Sequence, residues 1–104
     1  MPDLSILIPV HNEQDNLTQL INEIVVAMPQ ALPAGAYEII VVDDGSTDST
    51  RSEILQLMEK VTQLRLLVHS RRAGKSAALK TGFDACRGAW IATLDGDGQN
   101  DPAD

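Results

Sequence analysis

The sequence is poor in aromatic residues, in cysteine and in positive charge. Tyr37, Phe83 and Trp90 are its only aromatic residues among 104, so we expect an aliphatic core without the aromatic platforms that stack on single-stranded nucleic acid. Eight Lys and Arg against 15 Asp and Glu give a net charge of −7, which argues against a general surface for nucleic acid or anionic membranes. The single cysteine, Cys86, excludes an internal disulfide and favours a reducing, cytoplasmic setting.

Long apolar runs are also missing from the sequence. No stretch approaches the roughly 20 apolar residues of a membrane span, and the N-terminus lacks the pattern of a signal peptide. The length of 104 residues allows one domain, and the apolar content of 43% is ordinary for a globular protein. We therefore expect a single soluble domain.

Four short aliphatic runs, each followed by polar residues, predict strands over 4–10, 37–44, 64–70 and 89–95. Because these runs do not alternate with polar residues, we expect strands buried on both faces, as in parallel sheets. Helical spacing predicts helices over 13–28, after 45–50 and over 74–86, with Asn12 and Asp15 as a capping pair and Ser46 or Asp48 as the second cap. The order β-α-β-α-β-α-β predicts a doubly wound, mainly parallel α/β sheet that binds ligands at the carboxyl ends of its strands.

A polar cluster follows each predicted strand, and all four clusters fall at the same rim of the sheet. In chain order they read HNE, DDGSTD, SRRAGKS and DGDGQND. Carboxylates from two strand ends and cations from a third are suited to a metal ion and a phosphorylated ligand.

Asp95 and Asp97 form an Asp-x-Asp motif around Gly96. Residues i and i+2 of an extended backbone point the same way, so both carboxylates can converge on one hard cation, Mg²⁺ or Mn²⁺. An isolated motif of this kind is more often a solvated acidic turn. Its position directly after an aliphatic strand favours the metal site.

Two further clusters allow two interpretations each. In the first interpretation of Asp43 and Asp44, one of them caps the following helix and the other is solvated. In the second, one of them supplies a carboxylate to a nucleobase N–H or a ribose hydroxyl. Arg71, Arg72 and Lys75 form either an exposed basic turn, or cations that offset the charge of a departing diphosphate.

The two histidines, His11 and His69, are predicted to be loop or strand-end residues, because no second histidine lies at metal-ligand spacing. A phosphate-binding P-loop is rejected because His69 stands where its first glycine should be, and an EF-hand is rejected because Asn100 stands in place of its glycine.

Four segments in the same order resemble the N-terminal half of family 2 glycosyltransferases, above all the polyprenyl-phosphate sugar transferases of the dolichol-phosphate mannose synthase type. They are ILIPVHNEQDNL, EIIVVDDGSTDST, RRAGKSAALKTGF and WIATLDGDGQNDP. The resemblance covers nearly all of the chain. It implies a GT-A fold, a UDP-sugar or GDP-mannose donor, Mg²⁺ or Mn²⁺, inversion at the anomeric carbon and a polyprenyl-phosphate acceptor.

The resemblance also implies roles for single residues. The segment around His11, which replaces the usual tyrosine, matches the lining of the nucleotide pocket, and Asp44 matches the partner of uracil or guanine. Arg72 matches the basic residue near the diphosphate, and Asp95 and Asp97 match the metal ligands. The full implied donor site consists of Pro9, His11, Glu13, Val42, Asp44, Arg72, Asp95, Gly96, Asp97 and Gln99.

In this family the acceptor-side residues, including any catalytic base, follow the Asp-x-Asp motif. The sequence ends nine residues after Asp95, so the resemblance implies that residues 1–104 are the nucleotide-sugar-binding part of a domain truncated just after the motif. We expect donor binding without efficient transfer, and a longer enzyme at the cytoplasmic face of the membrane. We also expect self-association through an open sheet edge.

Two other classes of protein share part of this pattern. A non-catalytic nucleotide-binding module would carry the same residues. A phosphorelay receiver domain also has an α/β fold and an acidic Mg²⁺ pocket, but its acid pair follows the first strand, where this sequence has Val10, His11 and Asn12.

Overall fold

The structure is a computed structural model that describes residues 2–28 and 36–95. Its elements follow the predicted order, which confirms the α/β class. The strands are β1 (Leu4–Val10), β2 (Tyr37–Asp44), β3 (Leu64–His69) and β4 (Trp90–Thr93), and the helices are α1 (Leu17–Ala27), α2 (Thr50–Met58) and α3 (Lys75–Ala85). None of these three helices is long and apolar enough to cross a membrane.

All four strands are parallel and form one sheet in the order β3-β2-β1-β4. The chain moves outward from β1 to β3, and α3 then carries it back so that β4 pairs with the other side of β1. Leu7 of β1 therefore lies opposite Ile40 on one side and Thr93 on the other. The carboxyl ends of β1 and β4 form a topological switch point, where open α/β sheets bind ligands.

The side chains of β1 alternate between two aliphatic clusters, one on each face of the sheet. Ile6 and Ile8 pack with Ile21 of α1 and Ile54 of α2, whereas Leu7 packs in the cluster that contains α3 residues. Helices thus cover both faces, as a doubly wound sheet requires. Full burial of one such side chain stabilises the fold by about 1.5–3 kcal/mol, which explains why the aliphatic runs of β1 and β2 lie at the centre of the fold.

The first helix begins later than the sequence predicts. Asn12 and Asp15 have φ angles of 53° and 74°, in the left-handed region that an α-helix of L-residues does not contain. The side-chain oxygen of Asn12 accepts a hydrogen bond from the backbone N–H of Thr47 at 2.8 Å. The predicted capping pair is therefore wrong, because Asn12 holds the neighbouring loop and α1 starts only at Leu17.

The second helix has a cap close to the predicted one. Ser49 occupies the N-cap position of α2, and the carboxylate of Asp48 accepts a hydrogen bond from the backbone N–H of Thr50 at 2.9 Å. Asp48, which precedes the N-cap residue, thus provides the acceptor for the first N–H of the helix. Its pKa is lowered: burial raises it, and hydrogen bonds from Thr50 and Gln14 outweigh that effect.

The fourth strand is less buried than predicted. Trp90 is 75% exposed and Ile91 is 40% exposed, although the aliphatic run predicted burial on both faces. In the described part of the chain, β4 is an edge strand that pairs with β1, and α3 packs against β1, β2 and β3. The helix layer therefore gives little cover to this edge.

Candidate functional site

A cavity of about 280 Å³ opens at the carboxyl ends of the strands, and both acidic and basic side chains line it. Its walls come from the end of β1, the end of β2, the segments after β1, β3 and β4, and the first turn of α3. The lining residues are Pro9, Val10, His11, Glu13, Asp44, Arg72, Lys75, Ala78 and Asp95. Six residues that the resemblance placed at a donor site therefore meet around one cavity.

The remaining predicted donor-site residues do not line this cavity or cannot be described. Val42 is fully buried in the cluster that contains Ala78, and Ala78 itself lines the cavity. Val42 therefore supports the site from the core. Gly96, Asp97 and Gln99 lie outside the described residues.

Asp44 ends β2 inside the cavity and holds the loop that follows β3. Its carboxylate accepts hydrogen bonds from the backbone N–H groups of Ala73 at 2.8 Å and Gly74 at 2.9 Å, and from Nδ1 of His69 at 2.8 Å. Burial raises the pKa of Asp44, but these hydrogen bonds outweigh it and leave the pKa below its ordinary value. The carboxylate is therefore ionised at neutral pH, and Oδ2 keeps a second lone pair as an acceptor.

Asp43 has a different role from its neighbour. Its side chain is fully buried, and Oδ1 accepts a hydrogen bond from the backbone N–H of Ser46 at 3.0 Å. Nε of Arg51 lies 3.4 Å from Oδ2. Asp43 therefore stabilises the turn after β2, while Asp44 faces the cavity, and neither carboxylate is the solvated one that the capping interpretation required.

The turn at Gly45 brings residues 70–75, which follow β3 and which we call the basic loop, close to β2. Gly45 has a φ of +69°, and a Cβ at this position would collide with the backbone of Arg71 and Arg72. Only glycine combines this left-handed conformation with so close an approach. The contact over Gly45 and the hydrogen bonds to Asp44 thus fix the basic loop at two points.

The loop after β1 is fastened to the end of β2 and the start of α2. The Nδ1–H of His11 donates to the backbone carbonyl of Asp44 at 2.8 Å, and the backbone N–H of Glu13 donates to Oγ1 of Thr50 at 2.9 Å. Both residues line the cavity. The hydroxyl-rich segment after β2 therefore positions the neighbouring loop, in addition to starting its own helix.

Asp95 is the one predicted metal ligand that the structure describes. Nζ of Lys75 lies 2.5 Å from Oδ1 of Asp95, and their side chains are 63% and 41% exposed. Asp95 thus already binds a cationic group in the cavity, and a carboxylate at a strand end is a ligand that suits Mg²⁺ or Mn²⁺. The described residues contain no group of three potential ligands, and Asp97, the second predicted ligand, lies outside them.

His69 is a residue of this site that sequence reasoning did not assign. It ends β3, as predicted, but its ring lies between two partners. Nδ1 contacts Oδ1 of Asp44, and Nε2 lies 2.8 Å from Oγ1 of Thr81. These partners are 25 and 12 residues away in sequence, so no local spacing could have revealed them.

Residues 5–104 match the family model described as glycosyl transferase family 2. The chain belongs to this family. The resemblance stated from the four segments is thereby confirmed, and so is the GT-A fold that it implied.

Curated relatives in glycosyl transferase family 2 align with nearly the whole chain. Dodecaprenyl-phosphate galacturonate synthase of Rhizobium johnstonii is 38% identical over 98% of this chain and 30% of its own length. Undecaprenyl-phosphate 4-deoxy-4-formamido-L-arabinose transferase of Pseudomonas fluorescens is 41% identical over 95% of this chain and 29% of its own length. The chain thus spans less than a third of these relatives.

Solved structures share the fold. The mannosyltransferase PcManGT of Pyrobaculum calidifontis, in complex with GDP-Man and Mn²⁺, superposes with a TM-score of 0.82 at 28% identity, over 92% of this chain and 28% of that one. TarS of S. aureus superposes with a TM-score of 0.78 at 24% identity, over 93% and 28%. The likeness to TarS concerns the fold alone.

Proposed function

We propose that this protein binds a nucleotide-sugar donor together with Mg²⁺ or Mn²⁺, as the donor-binding part of an inverting glycosyltransferase. The observation that carries the proposal is that two carboxylates, Asp44 and Asp95, and two cations, Arg72 and Lys75, line one cavity at the switch point of the sheet. A sugar nucleotide presents a diphosphate to the cations and a nucleobase N–H or ribose hydroxyl to a carboxylate. The GDP-Man and Mn²⁺ complex of PcManGT supports this proposal.

In this proposal each part of the cavity contacts a different part of the donor. The loop with His11 lines the nucleotide, and Asp44 offers its remaining acceptor to the base. Arg72 contacts the diphosphate. The proposed donor site consists of Pro9, His11, Glu13, Val42, Asp44, Arg72, Asp95, Gly96, Asp97 and Gln99, with Asp95 and Asp97 as the metal ligands.

The chemistry is a direct displacement at the anomeric carbon. An acceptor oxygen forms the new bond on one face of the sugar while the bond to the nucleoside diphosphate breaks on the other, so the configuration inverts. A divalent ion at Asp95 and Asp97 would neutralise charge on the departing diphosphate. Arg72 offsets the same charge, and its loop is already fixed, so little reorganisation is needed during the reaction.

We extend the proposal to the acceptor, a polyprenyl phosphate used at the cytoplasmic face of a membrane. The names of the Rhizobium and Pseudomonas relatives, which refer to dodecaprenyl and undecaprenyl phosphate, support this extension. A phosphate acceptor is already ionised and scarcely needs a base. We place any catalytic base beyond residue 104, and measurable turnover by the 104-residue chain would contradict this placement.

Self-association is a further part of the proposal. Within the described residues β4 is an edge strand that exposes Trp90 and Ile91. This supports pairing between copies, because an open strand edge is a template for another strand. Sedimentation should show concentration-dependent dimers, and the variant Ile91→Lys should be monomeric. A wild-type monomer at all concentrations would reject this part alone.

Calorimetric titration with UDP-sugars and GDP-mannose, with and without Mn²⁺, tests donor binding. We expect one nucleotide to bind in a metal-dependent manner and chelation by EDTA to abolish binding. Arg72→Ala should weaken binding by about tenfold or more, since a hydrogen bond to a charged group contributes about 1.5–3 kcal/mol.

Arg87→Ala is the matched control, because Arg87 is also an exposed arginine but lies at the opposite rim, next to Glu38. It should bind the donor as the wild type does. Binding without nucleotide preference, or with no dependence on metal, would overturn the proposed function. The alternative function is a non-catalytic nucleotide-binding module, which would be recognised if a protein that contains this chain and has the length of its relatives bound the donor but transferred no sugar.

A further inference from the structure

His69 lies behind Asp44 as seen from the cavity. Asp44 lines the cavity and His69 does not, and the His69 side chain is only 18% exposed. Its two ring nitrogens each lie 2.8 Å from a partner oxygen, Oδ1 of Asp44 and Oγ1 of Thr81. The ring therefore joins the end of β2 to α3 without contacting the ligand space.

The chemistry of the partners determines where the ring proton lies. An ionised carboxylate can only accept, so Nδ1 of His69 must carry a proton. In the neutral ring Nε2 is then an acceptor, and the hydroxyl of Thr81 donates to it. The Asp44 carboxylate therefore selects the Nδ1–H tautomer, and the hydroxyl of Thr81, which can donate or accept, holds the other side of the ring.

The carboxylate that His69 orients also holds the basic loop. Oδ1 of Asp44 accepts the N–H of Ala73 in addition to the histidine, and Oδ2 accepts the N–H of Gly74. Ala73 and Gly74 lie between Arg72 and Lys75, the two cations of the cavity. A rotation of the Asp44 carboxylate would therefore release the backbone that carries both cations.

We propose that His69 is a positioning residue that, as the Nδ1–H tautomer held by Thr81, orients Asp44 so that the basic loop presents Arg72 and Lys75 to a diphosphate. The assignment of the diphosphate rests on the proposed function. The positioning of the loop does not, because it follows from contacts within the chain. The two parts can therefore be tested separately.

The positioning is tested by NMR on the protein without nucleotide. Long-range ¹H–¹⁵N spectra should show the Nδ1–H tautomer at His69. Thr81→Val should keep this tautomer, which Asp44 selects, but should shift the Nε2 resonance because it removes the hydrogen bond to Nε2. In His69→Ala the amides of Ala73 and Gly74 should exchange with solvent at least tenfold faster. His69→Asn should restore part of the protection, because its amide N–H₂ can donate to Asp44 in place of Nδ1–H.

Thr62→Val is the matched control for Thr81→Val, since Thr62 is an exposed threonine that precedes β3 at the opposite rim. It should leave the His69 Nε2 resonance and the exchange of the Ala73 and Gly74 amides unchanged. An Nε2–H tautomer in the wild type, or unchanged exchange at Ala73 and Gly74 in a folded His69→Ala variant, would overturn the proposal. If His69→Ala does not fold, Thr81→Val tests the same role, because loss of the hydrogen bond to Nε2 should speed the exchange of the Ala73 and Gly74 amides by a smaller factor, and unchanged exchange there would overturn the proposal.

The link to the ligand is tested by comparing nucleoside diphosphates with nucleosides in the presence of Mn²⁺. His69→Ala should weaken the binding of UDP or GDP about tenfold more than that of uridine or guanosine, because the nucleosides lose only the oriented Asp44 carboxylate whereas the diphosphates also lose the positioned cations. His69→Asn should recover part of this difference. An equal loss for diphosphate and nucleoside would reject a role in presenting the cations. If the wild type binds no nucleotide, the proposed function fails, and the NMR measurements still decide the positioning.

Discussion

Two buried carboxylates at opposite ends of β2 hold the two ends of α3. Glu38, near the start of the strand, accepts hydrogen bonds from Oγ of Ser5, Nη1 of Arg65 and the backbone N–H of Arg87, which follows α3. Asp44, at the end of the strand, holds the backbone that precedes α3. The same interaction thus fastens this helix at both rims of the sheet.

The difference between the two carboxylates lies in how their charge is neutralised. Glu38 has Arg65 at 2.8 Å, and its network includes Ser5, which accepts a hydrogen bond from the backbone N–H of Gly88. Asp44 is held by two backbone N–H groups and a histidine, and it lines the cavity. Glu38 therefore has an arginine as its charged partner and only supports the fold, whereas Asp44 has no arginine or lysine among these partners and lines the cavity in which a ligand is expected.

The largest effect should come from removing the neutralised carboxylate. Glu38→Ala leaves the buried side of Arg65, the Ser5 hydroxyl and the Arg87 N–H without their acceptor, so we expect a loss of about 3–5 kcal/mol in the free energy of unfolding. Urea denaturation measures this loss. At temperatures where the variant is folded, its donor affinity should equal that of the wild type. A loss of donor affinity in the folded variant would contradict the purely structural role of Glu38. Glu23→Ala, on the exposed side of α1, is the control.

Asp44→Asn should have a smaller effect on stability but a clear effect on binding. The asparagine has only one side-chain oxygen, so its N–H₂ group must face the backbone N–H of Ala73 or Gly74. That N–H then lacks an acceptor, which should lower the free energy of unfolding by about 1–3 kcal/mol. Because the basic loop loses its anchor, metal-dependent donor affinity should fall about tenfold or more. The comparison is with Glu38→Gln, which should lose stability alone. Equal donor affinity in both variants would contradict the positioning role of Asp44.

The next largest effects should come from substitutions at two glycines, one at each rim of the sheet. Gly45→Ala imposes a left-handed conformation that costs about 1–2 kcal/mol and pushes the backbone of Arg71 and Arg72 away, so stability and donor affinity should both decrease. In Gly88→Ala the added Cβ meets the backbone of Ser5 at 2.6 Å, so stability alone should decrease. Urea denaturation measures the stability of both variants, and calorimetric titration of the folded variants measures their donor affinity. A loss of donor affinity in Gly88→Ala as large as in Gly45→Ala would contradict it.

The smallest difference should appear in the response to acid. The pKa values of Glu38 and Asp44 are both lowered, because their hydrogen bonds outweigh the effect of burial. The unfolded chain therefore takes up protons first as the pH falls. The stability from these groups is complete above the ordinary carboxylate pKa of about 4, and it is lost as the pH falls through the lowered values.

Urea denaturation between about pH 5 and pH 2 measures this loss. We expect a shallower dependence of the unfolding free energy on pH in Glu38→Gln and in Asp44→Asn than in the wild type. Three parallel curves would show that neither carboxylate contributes its charge to stability.

Local sequence was sufficient for the elements whose burial is continuous. The predicted strands 4–10 and 37–44 coincide with β1 and β2, because an aliphatic run is buried whichever way its residues point. Prediction failed where a polar residue had a choice of partners. Asn12 could cap its own helix or bind the next loop, and only the folded chain shows that Thr47 is the partner.

The sequence by itself determined the order of the elements, the rim at which the polar clusters meet and the family of the chain. These properties depend on strand direction and on residues that are neighbours in the sequence. Tertiary structure decided that Asp44 and not Asp43 faces the cavity, that Val42 supports it from the core and that His69 orients Asp44. These roles depend on hydrogen bonds and close packing between residues far apart in the chain, and such distances exist only after folding.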